Sequence, residues 1–220
     1  MKTYNIILFD LDGTLTDPKI GITRSVAYAL TKFGITVDNL DSLIHFIGPP
    51  LPGSFKKYYK FSEIQAKQAV AYFREYFSVK GLFENRLYPG VPELLNDLQS
   101  NGKKLILATS KPTVFAQQIL DHFDISKHFH FVAGSNYDLT RIEKSNIISY
   151  AISRLDGCQN SEIVMVGDHP DDIYGAHENH IDSVGVTYGY SKRVNLESAK
   201  PMHLVHSIEE LKSLILHGLT

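Results

Sequence analysis

Tryptophan is absent from the 220 residues, methionine occurs three times and cysteine once. The single thiol, Cys158, excludes an intrachain disulfide and leaves no thiolate cluster for zinc. A solitary thiol of this kind reads as a small, packed or half-exposed apolar group. Excess charge is missing too: 22 Lys+Arg against 24 Asp+Glu give a net charge of −2. That balance removes the electrostatic basis for binding nucleic acid or a membrane surface. No apolar run approaches the about 20 residues of a membrane span. The opening "MKTYNIILFD" has too short an apolar stretch for a secretion signal and is acidic where a cleavage site should fall. A cytoplasmic protein without membrane or nucleic-acid partners is the expectation. Repeats and low-complexity tracts are lacking as well.

The composition is 43% apolar and 21% charged, enough for a real core. The length is large for one simple domain and small for two equal ones, so a main domain with a smaller insertion is expected. Short β-rich runs alternate with helical periodicity, the pattern of an α/β, Rossmann-like parallel sheet covered by helices. Candidate strands are Ile6 to Phe9, Leu105 to Ala108, Phe129 to Val132, Ile163 to Val166 and Val184 to Val186, with His203 to Val205 as an edge. Those beginning at Ile6, Leu105 and Ile163 are nearly continuous in apolar residues, as strands buried on both faces are. Between them, Pro92 and Pro112 mark helix starts, and Ser207-Ile208-Glu209-Glu210 reads as a capping box.

Residues 17–86 break this rhythm. They carry no convincing strand but two helical stripes, Ile22/Val26/Ala29/Leu30/Phe33 and Ala66/Ala69/Val70/Phe73/Phe77. "IGPPLPGSF" (Ile47 to Phe55) between them is read as irregular because of its prolines and glycines. A helical insertion over 17–86 therefore interrupts an α/β core made of 1–16 and 87–220, with hinges at Leu15–Lys19 and Asn85–Gly90.

The chemistry-bearing residues stand where strands end. Asp10 closes the first strand, and Asp12 two residues on can converge on the same point. Two carboxylates that close need a cation, or one must take a proton; the competing reading is a turn before Gly13 with one Asp as a cap. "IVMVGDHPDDIYGA" again drives an apolar strand into acids, Asp168, Asp171 and Asp172, where helix capping is the alternative. Ligands of open α/β sheets bind beyond the carboxyl ends of strands. On that rim Asp10, Asp12 and Asp168 are expected to form a hard oxygen cage suited to Mg²⁺. "LILATSKP" ends a strand in Thr109 and Ser110, then Lys111 and a helix start, which together make a phosphate seat or an ordinary cap. Lys144, in "TRIEKSNII", follows the next strand.

In this order the residues resemble the haloacid dehalogenase-like hydrolase superfamily. Its first motif stands as Asp10-Leu11-Asp12-Gly13-Thr14, its hydroxyl as Thr109, its lysine as Lys144, and its last motif as Gly167, Asp168 and Asp172. An insertion after the first motif is similar to the helical-cap, phosphoglycolate phosphatase-like branch. "DGTLTDPKIGITRSVAYAL", "FIGPPLPGSF", "LYPGVPELL", "ATSKP" and "GVTYGY" resemble its 5′-nucleotidase-like subgroup. His169 and His180 depart from the usual residues at their positions.

The resemblance implies a Mg²⁺-dependent phosphomonoesterase working through an aspartyl-phosphate on Asp10. Asp12 is the implied proton donor and acceptor, and Asp10, Asp12 (by its backbone carbonyl), Asp168 and Asp172 the implied metal set. Thr109, Lys144, Gly13, Ser110, Lys111 and Arg141 are implied at the phosphate or substrate. Lys19, Arg24, Ser54, Phe55 and Lys56 are candidates on an insertion that would close over the leaving group. The expected partner is a small phosphorylated metabolite, such as a nucleoside 5′-monophosphate, handled by a monomer or homodimer. Alternatives are phosphoglycolate hydrolysis or β-phosphoglucomutase-like phosphoryl transfer and, in another class, a silent phosphate-binding regulator.

Overall fold

A computed structural model describes residues 3–218. Its strands are β1 (Ile6–Phe9), β2 (Thr16–Asp17), β3 (Arg86–Leu87), β4 (Lys104–Pro112), β5 (Phe129–Ser135), β6 (Ile163–Gly167), β7 (Asp182–Val186) and β8 (His203–Val205). Its α-helices are α1 (Lys19–Thr31), α2 (Leu51–Tyr59), α3 (Glu63–Tyr76), α4 (Val91–Ser100), α5 (Thr113–His122), α6 (Lys144–Ser153), α7 (Pro170–Glu178), α8 (Arg193–Ala199) and α9 (Ile208–His217). The chain divides into two compact units, Met1–Thr16 with Leu87–Thr220, and Asp17–Arg86.

The first unit is built on one sheet in the order β5-β4-β1-β6-β7-β8, with each pairing parallel. Strand alternation sends Ile6, Leu8, Ile106, Ala108, Ile163 and Met165 to one face, where they bury against Ile147, Ile148 and Ala151 of α6 and Ala176 of α7. Ile7, Phe9, Leu105, Leu107, Val164 and Val166 point the other way and are buried too. Both faces are therefore covered, which is why these strands read as unbroken apolar runs. The edge strand at His203 is present, and β4 and β5 run on past their expected ends to Pro112 and Ser135. After β1 the chain builds outward through β4 and β5, then returns to the far side of β1 for β6, β7 and β8. Asp10 thus lies at the switch point, where the crevice of such a sheet opens.

The second unit is helical. Gly21 of α1 donates its N–H to the Glu84 carbonyl at 3.0 Å, and a Cβ at Gly21 would fall 1.9 Å from the Gly81 carbonyl oxygen. Only glycine lets backbone meet backbone there.

Three expectations need correction. "LPGSF" is helical, forming the start of α2: Pro52 sits in the first turn, where its missing N–H leaves no bond unmade, and Pro49 and Pro50 precede the helix. The borders of the insertion are not strandless, because β2 and β3 pair as a two-stranded ribbon. At α9 the Ser207 hydroxyl accepts from the Glu210 N–H at 3.1 Å, but the Glu210 carboxylate turns to the His206 N–H at 2.7 Å, so the box is only half made. His180, where a glycine was the commoner residue, takes a left-handed φ of +56°, the conformation glycine adopts without cost.

Candidate active site

The Asp10 N–H donates to the Val166 carbonyl at 2.9 Å, extending the β1–β6 ladder by one bond and fixing where the first carboxylate leaves the sheet. The chain then folds tightly: the N–H groups of Thr14, Leu15 and Thr16 all reach the Leu11 carbonyl, at 3.3, 2.9 and 3.0 Å. Gly13 holds this turn at φ +86°, and a Cβ on it would lie 2.3 Å from Asp168 Oδ2. The first and last motifs are in contact through the hydrogen side of one glycine.

Asp10, Asp168 and Asp172 each offer an oxygen within 4.8 Å of the others, and all three are buried. Lys144, delivered by the start of α6, places Nζ 2.7 Å from Asp10 Oδ1, 2.7 Å from Asp172 Oδ1 and 3.0 Å from the Ala108 carbonyl. Burial alone would push this ammonium down, yet Asp10 and Asp172 more than offset it and hold it above the ordinary lysine range. Asp172 also caps α7 by accepting from the His169 N–H at 3.0 Å, while His169 Nδ1 accepts from the Asp171 N–H at 3.2 Å.

The Asp12 carboxylate is not in that group, and the expectation for Asp12 concerns its backbone carbonyl. Lys111, itself buried, takes Asp12 Oδ2 at 2.7 Å, and Asp172 stands in the trio instead. Asp12 Oδ1 and Asp168 Oδ1 are buried with no hydrogen-bond partner. Burial raises the proton affinity of Asp12 above the ordinary carboxylate range against the pull of Lys111, and Asp10 adds to the rise. Burial, reinforced by Asp10 and Asp172, lifts Asp168 to about 8. Three packed acids with one cation among them, one bearing an unpartnered oxygen, form a donor set that fits a hard divalent ion such as Mg²⁺.

This crowding has a measurable sign. A carboxyl raised in the folded state, here from 3.8 to about 8, stabilises the fold below its unfolded pKa and loses that contribution as pH climbs through the folded value. The metal-free protein is expected to lose stability between those two values, at a slope approaching about 1.4 kcal/mol per pH unit for one proton. Mg²⁺ should restore it, and by more at pH 8 than at pH 6. Thermal melts in EDTA and in Mg²⁺ across that range test this; a pH-independent increment from the metal would refute it.

The remaining predicted residues are distributed as follows. Thr109 is buried at the rim, its hydroxyl accepting from the Lys111 N–H at 3.3 Å, and Ser110 is half-buried beside it. Arg141 spends its guanidinium on the Gly134 carbonyl, at 3.0 and 3.2 Å, and on the face of Tyr150, 4.0 Å from the ring centroid. In the helical unit Lys19 pairs with Asp41, Arg24 with Glu84 and Lys56 with Glu63, while Ser54 and Phe55 are buried within it. The turn after β7 was not foreseen as part of the site. Tyr188 donates its hydroxyl to the Thr14 carbonyl at 3.0 Å, and Tyr190 donates its N–H to Asp168 Oδ2 at 2.6 Å. Its only signal in the sequence was "GVTYGY", which carries no acid, base or hydroxyl pattern that points to a site.

Comparison with known proteins agrees with this geometry. A family model described as haloacid dehalogenase-like hydrolase matches residues 7–186. The chain is 43% identical over 212 residues to a 5′-nucleotidase of Pseudomonas aeruginosa, covering 96% of each. It is 34% identical over 216 residues to the tyrosine-protein kinase PtkA of Mycobacterium bovis, covering 97% of this chain and 73% of that one. A solved structure of a predicted phosphatase from Clostridium acetobutylicum superposes with a TM-score of 0.95 at 46% identity, covering 97% of this chain and 99% of the other.

Proposed function

Since the chain belongs to the haloacid dehalogenase-like hydrolases and is a phosphatase of that family, we propose that it hydrolyses small phosphate monoesters through a covalent aspartyl-phosphate, with nucleoside 5′-monophosphates as the substrate class. The observation that carries this reading is the separation of the two motif aspartates. Asp10 sits with Lys144 among the clustered acids, whereas Asp12 is drawn off by Lys111 and has a raised proton affinity. That division supports Asp10 as the nucleophile and Asp12 as the acid.

Asp10 attacks phosphorus and the bond to the leaving oxygen breaks, so one difficult displacement becomes two easier ones. Asp12 gives its proton to the leaving alkoxide, then takes one from the water that cleaves the acyl phosphate. Lys144, Thr109, Ser110 and the N–H groups of Leu11 and Asp12 hold the phosphoryl oxygens as charge moves among them. Asp10, Asp168 and Asp172 would hold Mg²⁺, with the Asp12 carbonyl as a further ligand; when bound, the ion supplies positive charge against the phosphoryl group and the nucleophile. The choice of nucleotides is supported by the name of the Pseudomonas relative and its 43% identity.

Phosphate release from a panel of nucleoside 5′-monophosphates, sugar phosphates and phosphoglycolate, with Mg²⁺ or EDTA, tests the reading. Turnover is expected only with Mg²⁺ and highest on the nucleotides. Phosphoryl groups passed to a sugar hydroxyl or a protein tyrosine, without free phosphate, would replace hydrolysis by transfer. No turnover of any ester would leave only a binding role.

A further inference from the structure

Asp168 is gripped from two sides by chain that has no side chain to offer. A Cβ on Gly13 would lie 2.3 Å from its Oδ2, and a Cβ on Gly189 would lie 2.3 Å from both its Cβ and its Oδ2. Real Cβ atoms do not approach so closely, so a side chain at Gly189 would force the carboxylate to move. The same turn makes a directed bond, since the Tyr190 N–H reaches Asp168 Oδ2 at 2.6 Å. Its leading side is anchored twice: the Thr187 N–H donates to the Val205 carbonyl at 3.0 Å, and the Tyr188 hydroxyl donates to the Thr14 carbonyl at 3.0 Å. Tyr188 is further wedged edge-on against Tyr88, with ring centroids 5.1 Å apart. The outcome at Asp168 is asymmetric, with Oδ2 tied to backbone and Oδ1 buried without a hydrogen-bond partner.

We propose that the Tyr188-Gly189-Tyr190 turn is a positioning element for the cation site: it fixes one oxygen of Asp168 and leaves the other vacant as a ligand. The inference rests on the reading of Asp10, Asp168 and Asp172 as a divalent-ion site. It assigns to "GVTYGY" a role distinct from nucleophile, acid or phosphate seat. A carboxylate held by a backbone N–H and by close glycines keeps its orientation before the ion arrives, and outer partners of this kind typically govern metal affinity by about 10–100-fold. The bonds of the turn run to Asp168, Thr14 and Val205, so its loss should appear in ion binding before it appears in turnover.

Calorimetric titration of the metal-stripped full chain with Mg²⁺, and separately with Mn²⁺, reads this directly. Gly189→Ala is expected to weaken Mg²⁺ binding by about tenfold or more. It should also shift the Mg²⁺ concentration for half-maximal activity by the same factor, with much of kcat recovered at saturating Mg²⁺. Tyr188→Phe, which deletes only the anchoring hydroxyl, is expected to weaken binding by about threefold and serves where Gly189→Ala does not fold. A folded Gly189→Ala with wild-type affinity overturns the positioning role while sparing the cation site. If the wild-type chain takes up neither ion, the cation reading and this inference fall together. Wild-type affinity in Tyr188→Phe, with Gly189→Ala unfolded, also overturns the proposal.

Discussion

Asp10→Asn is expected to lower turnover of every substrate by about 10⁴-fold or more while the fold persists. Losses of that size follow when the nucleophile of a cooperating set is removed. The amide keeps the shape of the carboxylate and an oxygen for Lys144, which lies 2.7 Å away, so the site stays filled. What disappears is the anion that attacks phosphorus in the proposed mechanism. Acid-quenched wild-type enzyme, digested and weighed during turnover, should carry a phosphoryl group on the peptide containing Asp10, and the variant should carry none. Variant activity within tenfold of wild type would eliminate Asp10 as the nucleophile.

Lys144→Met should damage both stability and chemistry. Lys144 is the cation paired with Asp10 and Asp172 at 2.7 Å each, and its side chain is 5% exposed. Removing one partner of a buried ion pair strands the other charge, at a cost of about 3–5 kcal/mol. Here two carboxylates are stranded beside a third. Denaturant unfolding in EDTA should show that loss, and Mg²⁺ should return part of it by supplying the missing positive charge. Activity should remain at least about 10²-fold down even in Mg²⁺, because the donor that the proposed mechanism sets against the phosphoryl oxygens is gone. Equal stability of variant and wild type in EDTA would contradict the ion-pair network.

The fold was legible in the sequence where one physical signal dominated. Ile6 to Phe9 and Ile163 to Val166 had to be strands because each is an apolar run ending in acids, and the structure buries both on two faces. Irregularity around Pro52 was misread because proline breaks a helix only in its interior, and the boundary that made it harmless lay one residue away. In the site, the acids could be found but their division could not. Lys111 and Lys144 lie far along the chain from the aspartates they hold, and spacing does not say which lysine takes which carboxylate. The same limit hid Gly189, whose role is a clearance from Asp168 rather than a functional group. Arg141, expected at the substrate, bonds the Gly134 carbonyl and lies over the Tyr150 ring, contacts that its place in the sequence does not announce.

The ribbon of Thr16–Asp17 with Arg86–Leu87 has a consequence for how this architecture can be altered. The chain leaves the sheet unit and comes back to it on hydrogen-bonded neighbours, so the unit experiences the excursion as it would a hairpin loop. The entropy of closing such a loop grows only with the logarithm of its length, about 0.6 kcal/mol for each doubling. Lengthening, shortening or exchanging the helices between those two strands therefore imposes little on the strands that carry Asp10, Thr109 and Asp168. That segment can be rewritten as one contiguous piece, with the sheet strands left as they stand.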